Sequence, residues 1–561
     1  MNLKYNYRFI LCAIVVLMFF GCEKNFLNTK LDTNKTPEAA ATDRSTLWSF
    51  ASAVYSPMND GFTILDGNLF AAASDEAQQT AVSSNANYFN QGTINANVNP
   101  INSLYSNYYE GIRAANFFLD YSENGRKFLA LNRDTITDLV NYNKDIQNLA
   151  WYRAEAHIAR AYYYAELIKM YGGVPIIEKT LQQTTVVNVP KSTYDQVVDY
   201  IVSEIDNNKV ALQLNWKTSL YADQDGRFSL GSALAIKARV LLYAASPLHN
   251  ATNDVAKWQK AVSAANDVIN TTGLNYILDS TNSYRDYFLG AKPLASNESI
   301  LAIRRAANNT IEAANYPIST PGGKSGVTPT ENLVADYEYI GAIDPADPYK
   351  NRDPRLAATI VTNGSAWNNR VIDQSKGGSD DMSKVNTSRT GYYLKKFLTD
   401  NINLVQAGTV QNQWVAYRYA EVLLNYAEAM NEAYGPDVAQ TGNPLTARQA
   451  LKKVRDRASI LLPVVTAVSK EDFRIAVKHE RRIELAFEDH RYWDLLRWKD
   501  AETVLNQSVK GVGVSKNTSG VFSYLVSNVA TRKFLARNYY FPFAQSEIVN
   551  SKGTIVQNDG Y

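Results

Sequence analysis

Ile146, Ala150, Ala154, Ile158, Ala161, Ala165 and Ile168 recur at steps of three and four residues, and Gly172-Gly173 with Pro175 ends the run. That period winds an apolar stripe onto one face of a long helix, and the stripe must be buried against other elements. Similar signals fall near residues 43–59, 101–122, 145–171, 194–212, 230–245 and 254–271. A second block runs near 413–434, 445–458, 470–488 and 490–505, with Gly435-Pro436 and Gly442-Asn443-Pro444 as breakers between its first two members. Paired helices rich in Ala, Tyr and Leu with short turns have the form of tetratricopeptide hairpins, although no strict 34-residue repeat is visible. The expected fold is all-α: a tetratricopeptide-like scaffold of helical pairs with long loop-rich insertions carrying the ligand site.

Between the helical blocks, 273–412 is rich in Gly, Asn, Ser, Thr and Pro with scattered aromatics, and 60–100 is a shorter stretch of the same kind. Segments this long are functional when they sit in a compact domain, and binding residues concentrate on such loops. The expected organisation is an N-terminal helical repeat block over 38–272, a loop-rich ligand-binding insertion over 273–412, and a C-terminal helical block and tail over 413–561. With 45% apolar and 20% charged residues the chain is ordinary globular material, which excludes disorder. A net charge of +2 gives no footprint for nucleic acid.

At the N-terminus, Lys4 and Arg8 precede an apolar run from Phe9 to Phe20, a secretory signal layout too short to span a bilayer. The following Phe19-Phe20-Gly21-Cys22 resembles a lipobox, with Phe19 where leucine is usual. Residues 1–21 are therefore read as a signal peptide, Cys22 as a lipidated first residue and 22–37 as a tether. Cleavage removes Cys12, Lys4 and Arg8, leaving one cysteine and 55 cationic against 55 acidic side chains. No disulfide is then available, and two or more acyl chains on Cys22 make a firm anchor.

Catalytic chemistry is sparse. His157, His249, His479 and His490 fall in no ligand spacing, and there is no phosphate loop, dinucleotide fingerprint or nucleophile elbow. No cofactor or metal is expected. Glu480, Glu484 and Glu488 raise the idea of paired glycosidase carboxylates, but Arg481, Arg482 and Arg491 interleave with them and would hold them ionised, whereas a general acid needs a raised pKa. Arg481 with Glu484, and Asp494 with Arg497, have the three-residue spacing of helix-face ion pairs. Arg153, Glu155 and Arg160 read as scaffold ion pairs as well. The chain is not expected to be an enzyme.

Several blocks, in order, resemble the SusD/RagB family of Bacteroidetes nutrient-uptake lipoproteins. They are Arg153-Ala-Glu-Ala-His-Ile-Ala-Arg160-Ala-Tyr-Tyr-Tyr164 running to Met170-Tyr-Gly-Gly-Val-Pro175, Ala235 to Ala245, Asn351-Arg-Asp-Pro-Arg355, Tyr417 to Ala429, Glu480 to Glu488, Arg491-Tyr-Trp-Asp-Leu-Leu-Arg-Trp498, Phe541-Pro-Phe-Ala-Gln-Ser-Glu547 and Gln557-Asn-Asp-Gly-Tyr561. Phe543 and Asp559 depart from the residues usual there. The resemblance implies a lipid-anchored outer-membrane protein facing the cell exterior, which captures an oligosaccharide, or in some members peptide, and covers a TonB-dependent barrel transporter of the SusC type. A glycan-cleaving enzyme and a lid that binds no free ligand are the rival readings. Stacking on sugar C–H faces calls for loop aromatics beside amides. The expected ligand residues are Trp367 with Asn368, then Asn87, Tyr88 and Phe89, then Tyr284 and Tyr287. Tyr162, Tyr163, Tyr164, Tyr417, Tyr419 and Tyr426 are expected to pack between helices.

Overall fold

The structure is a computed structural model that describes residues 36–131, 133–181, 189–217 and 224–561; the signal peptide, Cys22 and the tether up to residue 35 lie outside the described residues. The helices of the scaffold are α1 (Arg44–Ala53), α2 (Ser103–Tyr121), α3 (Leu139–Tyr171), α4 (Tyr194–Asn208), α5 (Leu230–Ala245), α6 (Val255–Asn270), α7 (Tyr419–Tyr434), α8 (Ala447–Arg455), α9 (Lys470–Glu484) and α10 (Arg491–Arg497). Neighbours follow chain order: α2 packs on α3, α3 on α4, α4 on α5, α5 on α6, α6 on α7, and α7 on both α8 and α9. The long excursion between α6 and α7 therefore returns the chain to the helix it left.

Local chemistry sets the helix ends. Capping boxes open α4 (Thr193 with Gln196), α5 (Ser229 with Ser232) and α8 (Thr446 with Gln449), each N-cap contributing about 1 kcal/mol. Helix α3 stops at Gly172, whose φ of 72° favours glycine. The buried tyrosines include Tyr162, Tyr163 and Tyr164 on α3 and Tyr426 on α7. Where α2 crosses α3, a Cβ on Gly111 would stand 2.3 Å from the Tyr163 ring, so the glycine is what permits the close approach.

The all-α expectation is corrected by five two-stranded sheets among the described residues. All are antiparallel: β1 (Ala77–Gln79) with β3 (Val327–Pro329), β2 (Ser299–Ile303) with β8 (Trp414–Arg418), β4 (Ile360–Val361) with β7 (Tyr393–Leu394), β5 (Ala366–Trp367) with β6 (Arg370–Val371), and β9 (Val509–Lys516) with β10 (Phe522–Ala530). Six of these strands, two or three residues long, are too short for a period of two to register. Tyr417 accordingly packs from a strand, not from the helix expected over 413–434.

One buried ion network fastens the excursion to the helices. Arg355 donates to Asp353, to Glu480 at 2.5 Å and to Glu484 at 2.9 Å. Arg418 donates to Glu298 at 2.9 Å, Glu484 at 2.8 Å and Glu488 at 2.6 Å. Arg457 closes on Glu298 and Glu484, Arg455 on Glu480, and Lys396 on Glu488. Burial pushes the Glu484 carboxyl up, but Arg457, Arg418 and Arg355 together outweigh it and hold the group well below the usual carboxylate range. The expected Arg481–Glu484 pair is not made. Arg481 reaches Asp494 at 2.6 Å instead, because Glu484 is taken by three other arginines, while Asp494 also pairs with Arg497 at 2.8 Å. Glu155 pairs with Arg227 and Arg160 with Glu204, whereas Arg153 bonds the Leu119 carbonyl and Ser122.

Candidate functional site: the loop layer

The two loop stretches form one hydrogen-bonded layer. Asp66, in the left-handed region at φ 56°, turns the chain with Gly67 and accepts bonds from Ser84 Oγ at 2.7 Å, Asn85 N at 2.8 Å and Asn85 Nδ2 at 2.6 Å. Asn68 and Asn315 exchange a reciprocal pair of amide bonds, both 2.9 Å. Strands β1 and β3 add the register Gln79 opposite Val327, and Thr80 N continues it to the Gly326 carbonyl at 2.9 Å. Further along, Arg370 donates to Asp380 at 2.5 and 2.8 Å and to Ser319 Oγ at 2.6 Å. Residues 65–90, 315–329 and 370–380 are thereby held as a unit.

Within it, the short helix Ala86–Asn90 points its side chains two ways. Phe89 turns inward, edge-on to Phe70 at 5.1 Å and near Phe541 at 5.7 Å. Tyr88 turns outward and is 37% exposed. Asn87 lies beside it, half-buried, its amide donating to the Val82 carbonyl at 2.7 Å. Among the described residues, Tyr88 and Tyr339 are the most exposed aromatic residues.

Four of the expected ligand residues are instead buried. Trp367 is 3% exposed: its indole N–H needs an acceptor and finds Asp400 at 2.5 Å, and its ring meets Tyr316 edge-on at 5.2 Å. Tyr284 donates to the carbonyl of Glu484, the last residue of α9, at 2.6 Å, and Tyr287 is hydrogen-bonded to Ser299 at 2.7 Å. Phe89 is the fourth. Asn368 stays half-buried, its Oδ1 accepting from Asn401 N at 2.8 Å, while its amide nitrogen has no partner among the described residues. The structure brings Asn87 and Tyr88 together, and places Trp367 and Asn368 in the same loop layer. Tyr284 and Tyr287 sit below it, against the ion network. Tyr339 escaped the sequence reading, although its place just before Gly341, Pro345 and Pro348 marks a loop tip.

The loop layer is tied to the helices through Asp75-Glu76. Arg491 bonds Asp75 at 2.8 Å and Arg482 pairs with it at 2.8 Å. Burial raises the Asp75 carboxyl and these cations more than reverse the effect, leaving it well below the usual range. Glu76 behaves oppositely: burial, reinforced by the Asp75 charge, pushes it up to about 8 even though its Oε1 accepts the Phe487 N–H. A group raised on folding contributes stability that is complete below its unfolded pKa and is lost as pH climbs to its folded value. Urea unfolding is therefore expected to show the wild type losing stability relative to Glu76→Gln between about pH 5 and 8. Parallel curves for the two proteins would refute a protonated Glu76.

Glu480 and Glu484 have no accessible surface and are engaged by arginine on both oxygens. No group of three or more His, Cys, Asp or Glu able to hold a metal ion occurs among the described residues. Nor is any described helix long and apolar enough to cross a membrane.

Helical scaffold, short sheets and an interlocked loop layer together define a helix-rich protein built to present loops. The family model for the SusD family matches residues 293–561, and the model described as starch-binding associating with outer membrane matches residues 25–242. The chain belongs to the SusD/RagB family. A SusD-like protein of Formosa agariphila is 25% identical over 373 residues, 63% of this chain and 67% of that one. A SusD-like protein of Bacteroides fragilis superposes with a TM-score of 0.75 at 24% identity, covering 94% of this chain and all of the other. A laminarin-binding SusD-like protein superposes with a TM-score of 0.64 at 23% identity, covering 92% and 99% of the two chains.

Proposed function

We propose that this protein is a non-catalytic, lipid-anchored surface component that binds an oligosaccharide on its loop layer and delivers it to a TonB-dependent outer-membrane transporter. In this reading the helices stack as a tetratricopeptide-like array and the barrel partner is of the SusC type. The observation that carries the ligand assignment is Tyr88: an exposed ring beside the Asn87 amide, on a helix whose other face is anchored by Phe89. A flat ring with a polar tip suits the C–H face and hydroxyls of a pyranose. Relatives described as starch-, laminarin- and carbohydrate-binding support the ligand class. The carboxylates nearest to a glycosidase pair are buried and ion-paired, which supports binding without cleavage.

Affinity electrophoresis against laminarin, amylopectin, xylan and chondroitin sulfate, followed by calorimetry with the matching oligosaccharides, tests this reading. Tyr88→Ala is expected to weaken binding by about tenfold or more, a loss of roughly 1.4 kcal/mol, without changing the unfolding midpoint. Undiminished binding would remove Tyr88 from the site, and hydrolysed product would overturn the non-catalytic reading. Binding of peptide digests alone would change the ligand class.

A further inference from the structure

The second exposed ring is held very differently from the first. Residues 338–353 form an arm: Tyr339 and Arg352 pair across it, Ile340 N donates to the Asn351 carbonyl at 2.8 Å, and Asp344 and Asp347 face each other at its turn. The arm's base leads into Asp353 and Arg355, so the ion network fixes its root. The Arg352 guanidinium lies over the Tyr339 ring, 4.3 Å from its centroid. That guanidinium cannot swing away, because it donates to the carbonyls of Tyr337 at 2.8 Å, Val334 at 2.5 Å and Pro348 at 3.2 Å. Tyr339 is pinned at its tip too, its hydroxyl donating to the Pro348 carbonyl at 3.0 Å.

One face of the ring is thus clamped while the residue remains 37% exposed. Past Pro348, Tyr349 meets Tyr524 of β10 edge-on at 5.4 Å, both rings half-buried, and turns its hydroxyl to that of the buried Tyr392 at 3.4 Å. Asn363 donates its amide to the Tyr524 oxygen at 3.3 Å, which leaves the Tyr524 O–H to be given to something else. Folding alone does not require an exposed ring to be immobilised from behind. Immobilisation does matter for binding, since a platform ordered in advance loses little entropy when a ligand stacks on it.

We propose that the Tyr339 ring is a second carbohydrate-stacking platform that engages a pyranose unit of a longer chain than the Tyr88 region alone can hold. This rests on the glycan reading above. The guanidinium behind the ring draws on its π electrons and makes the open face a poor seat for another cation, which disfavours a basic peptide segment as occupant. Two platforms on separately anchored segments act as linked binding modules, so the second adds affinity only for ligands long enough to reach both.

The test compares wild type, Tyr88→Ala, Tyr339→Ala and Tyr339→Phe on whichever of laminarin, amylopectin, xylan and chondroitin sulfate the wild type retains, and on its trisaccharide to hexasaccharide fragments. Tyr339→Ala is expected to weaken polysaccharide binding three- to tenfold and leave the shortest fragments unaffected, with Tyr339→Phe close to wild type and unfolding midpoints unchanged. Polysaccharide binding by Tyr339→Ala at wild-type strength, while Tyr88→Ala loses it, overturns the second platform alone. Failure of the wild type to retain any of the four polysaccharides overturns the glycan reading and the platform with it.

Discussion

Arg418→Met is expected to cost about 3–5 kcal/mol of folding stability, measured by urea denaturation at neutral pH. The guanidinium is buried among Glu298, Glu484 and Glu488 and also donates to the Glu484 carbonyl at 2.8 Å. Methionine fills part of the volume but leaves the three carboxylates one cation short: Arg457 and Lys396 still pair with them, while Arg355 divides its charge between Glu484, Asp353 and Glu480. Uncompensated buried charge is the costly outcome; the intact network is a smaller net gain, because desolvation offsets most of its attraction. A domain has only about 5–15 kcal/mol to lose, so the variant would be crippled. Lys452→Met is the matched control: its side chain and that of its partner Asp456 are 46% and 43% exposed, and solvent screening keeps the expected loss within about 1 kcal/mol. Equal losses at the two positions would show that the network adds nothing beyond ordinary surface pairs.

Cys22→Ala is expected to transfer the protein from the membrane pellet to the soluble fraction. Each buried CH₂ contributes about 0.8 kcal/mol and two acyl chains suffice for stable anchoring, so an intact lipid would leave almost no free protein. The preceding apolar run of 12 residues, Phe9 to Phe20, is too short to replace it as a membrane span. Fractionation of cells expressing each form, with mass spectrometry of the mature N-terminus, reads the result. Retention of the variant in the pellet after an alkaline carbonate wash would refute lipid anchoring.

Helices were legible because their signals are local. The stripe from Ile146 to Ile168 and the stop at Gly172 are written within one segment, and α3 spans them, beginning six residues before the expected start at 145. Strands β9 and β10 were legible in principle, since Val512 and Val514 alternate with glycine and Asn517 to Gly520 supply a turn, yet the pattern went unread beside so much helix. The two-residue strands carry no such signal; Ile360 and Tyr393 find each other only in three dimensions. The same holds at the site. Trp367 in a polar loop looks exposed by composition, and nothing nearby in sequence announces that Asp400, 33 residues on, receives its indole N–H. The arginine-rich character of Glu480 to Arg497 was visible, but which carboxylate takes which guanidinium depends on Arg355, Arg418 and Arg457 arriving from elsewhere in the chain.

The spans of these bonds also set an order in time. Asp75 is separated from Arg491 by 416 residues, Asn68 from Asn315 by 247, and the Ser74 carbonyl from Arg532 by 458. Contacts so distant along the chain form late, after local helices are in place. As the polypeptide is made from its N-terminus, α1 to α6 can assemble while residues 60–100 still wait for partners not yet synthesised. The surface that carries Tyr88 is among the first stretches to be translated and among the last to acquire a shape. A chain interrupted before Arg482 would hold most of its helices and still lack both cations, Arg482 and Arg491, that seat Asp75 beneath that surface.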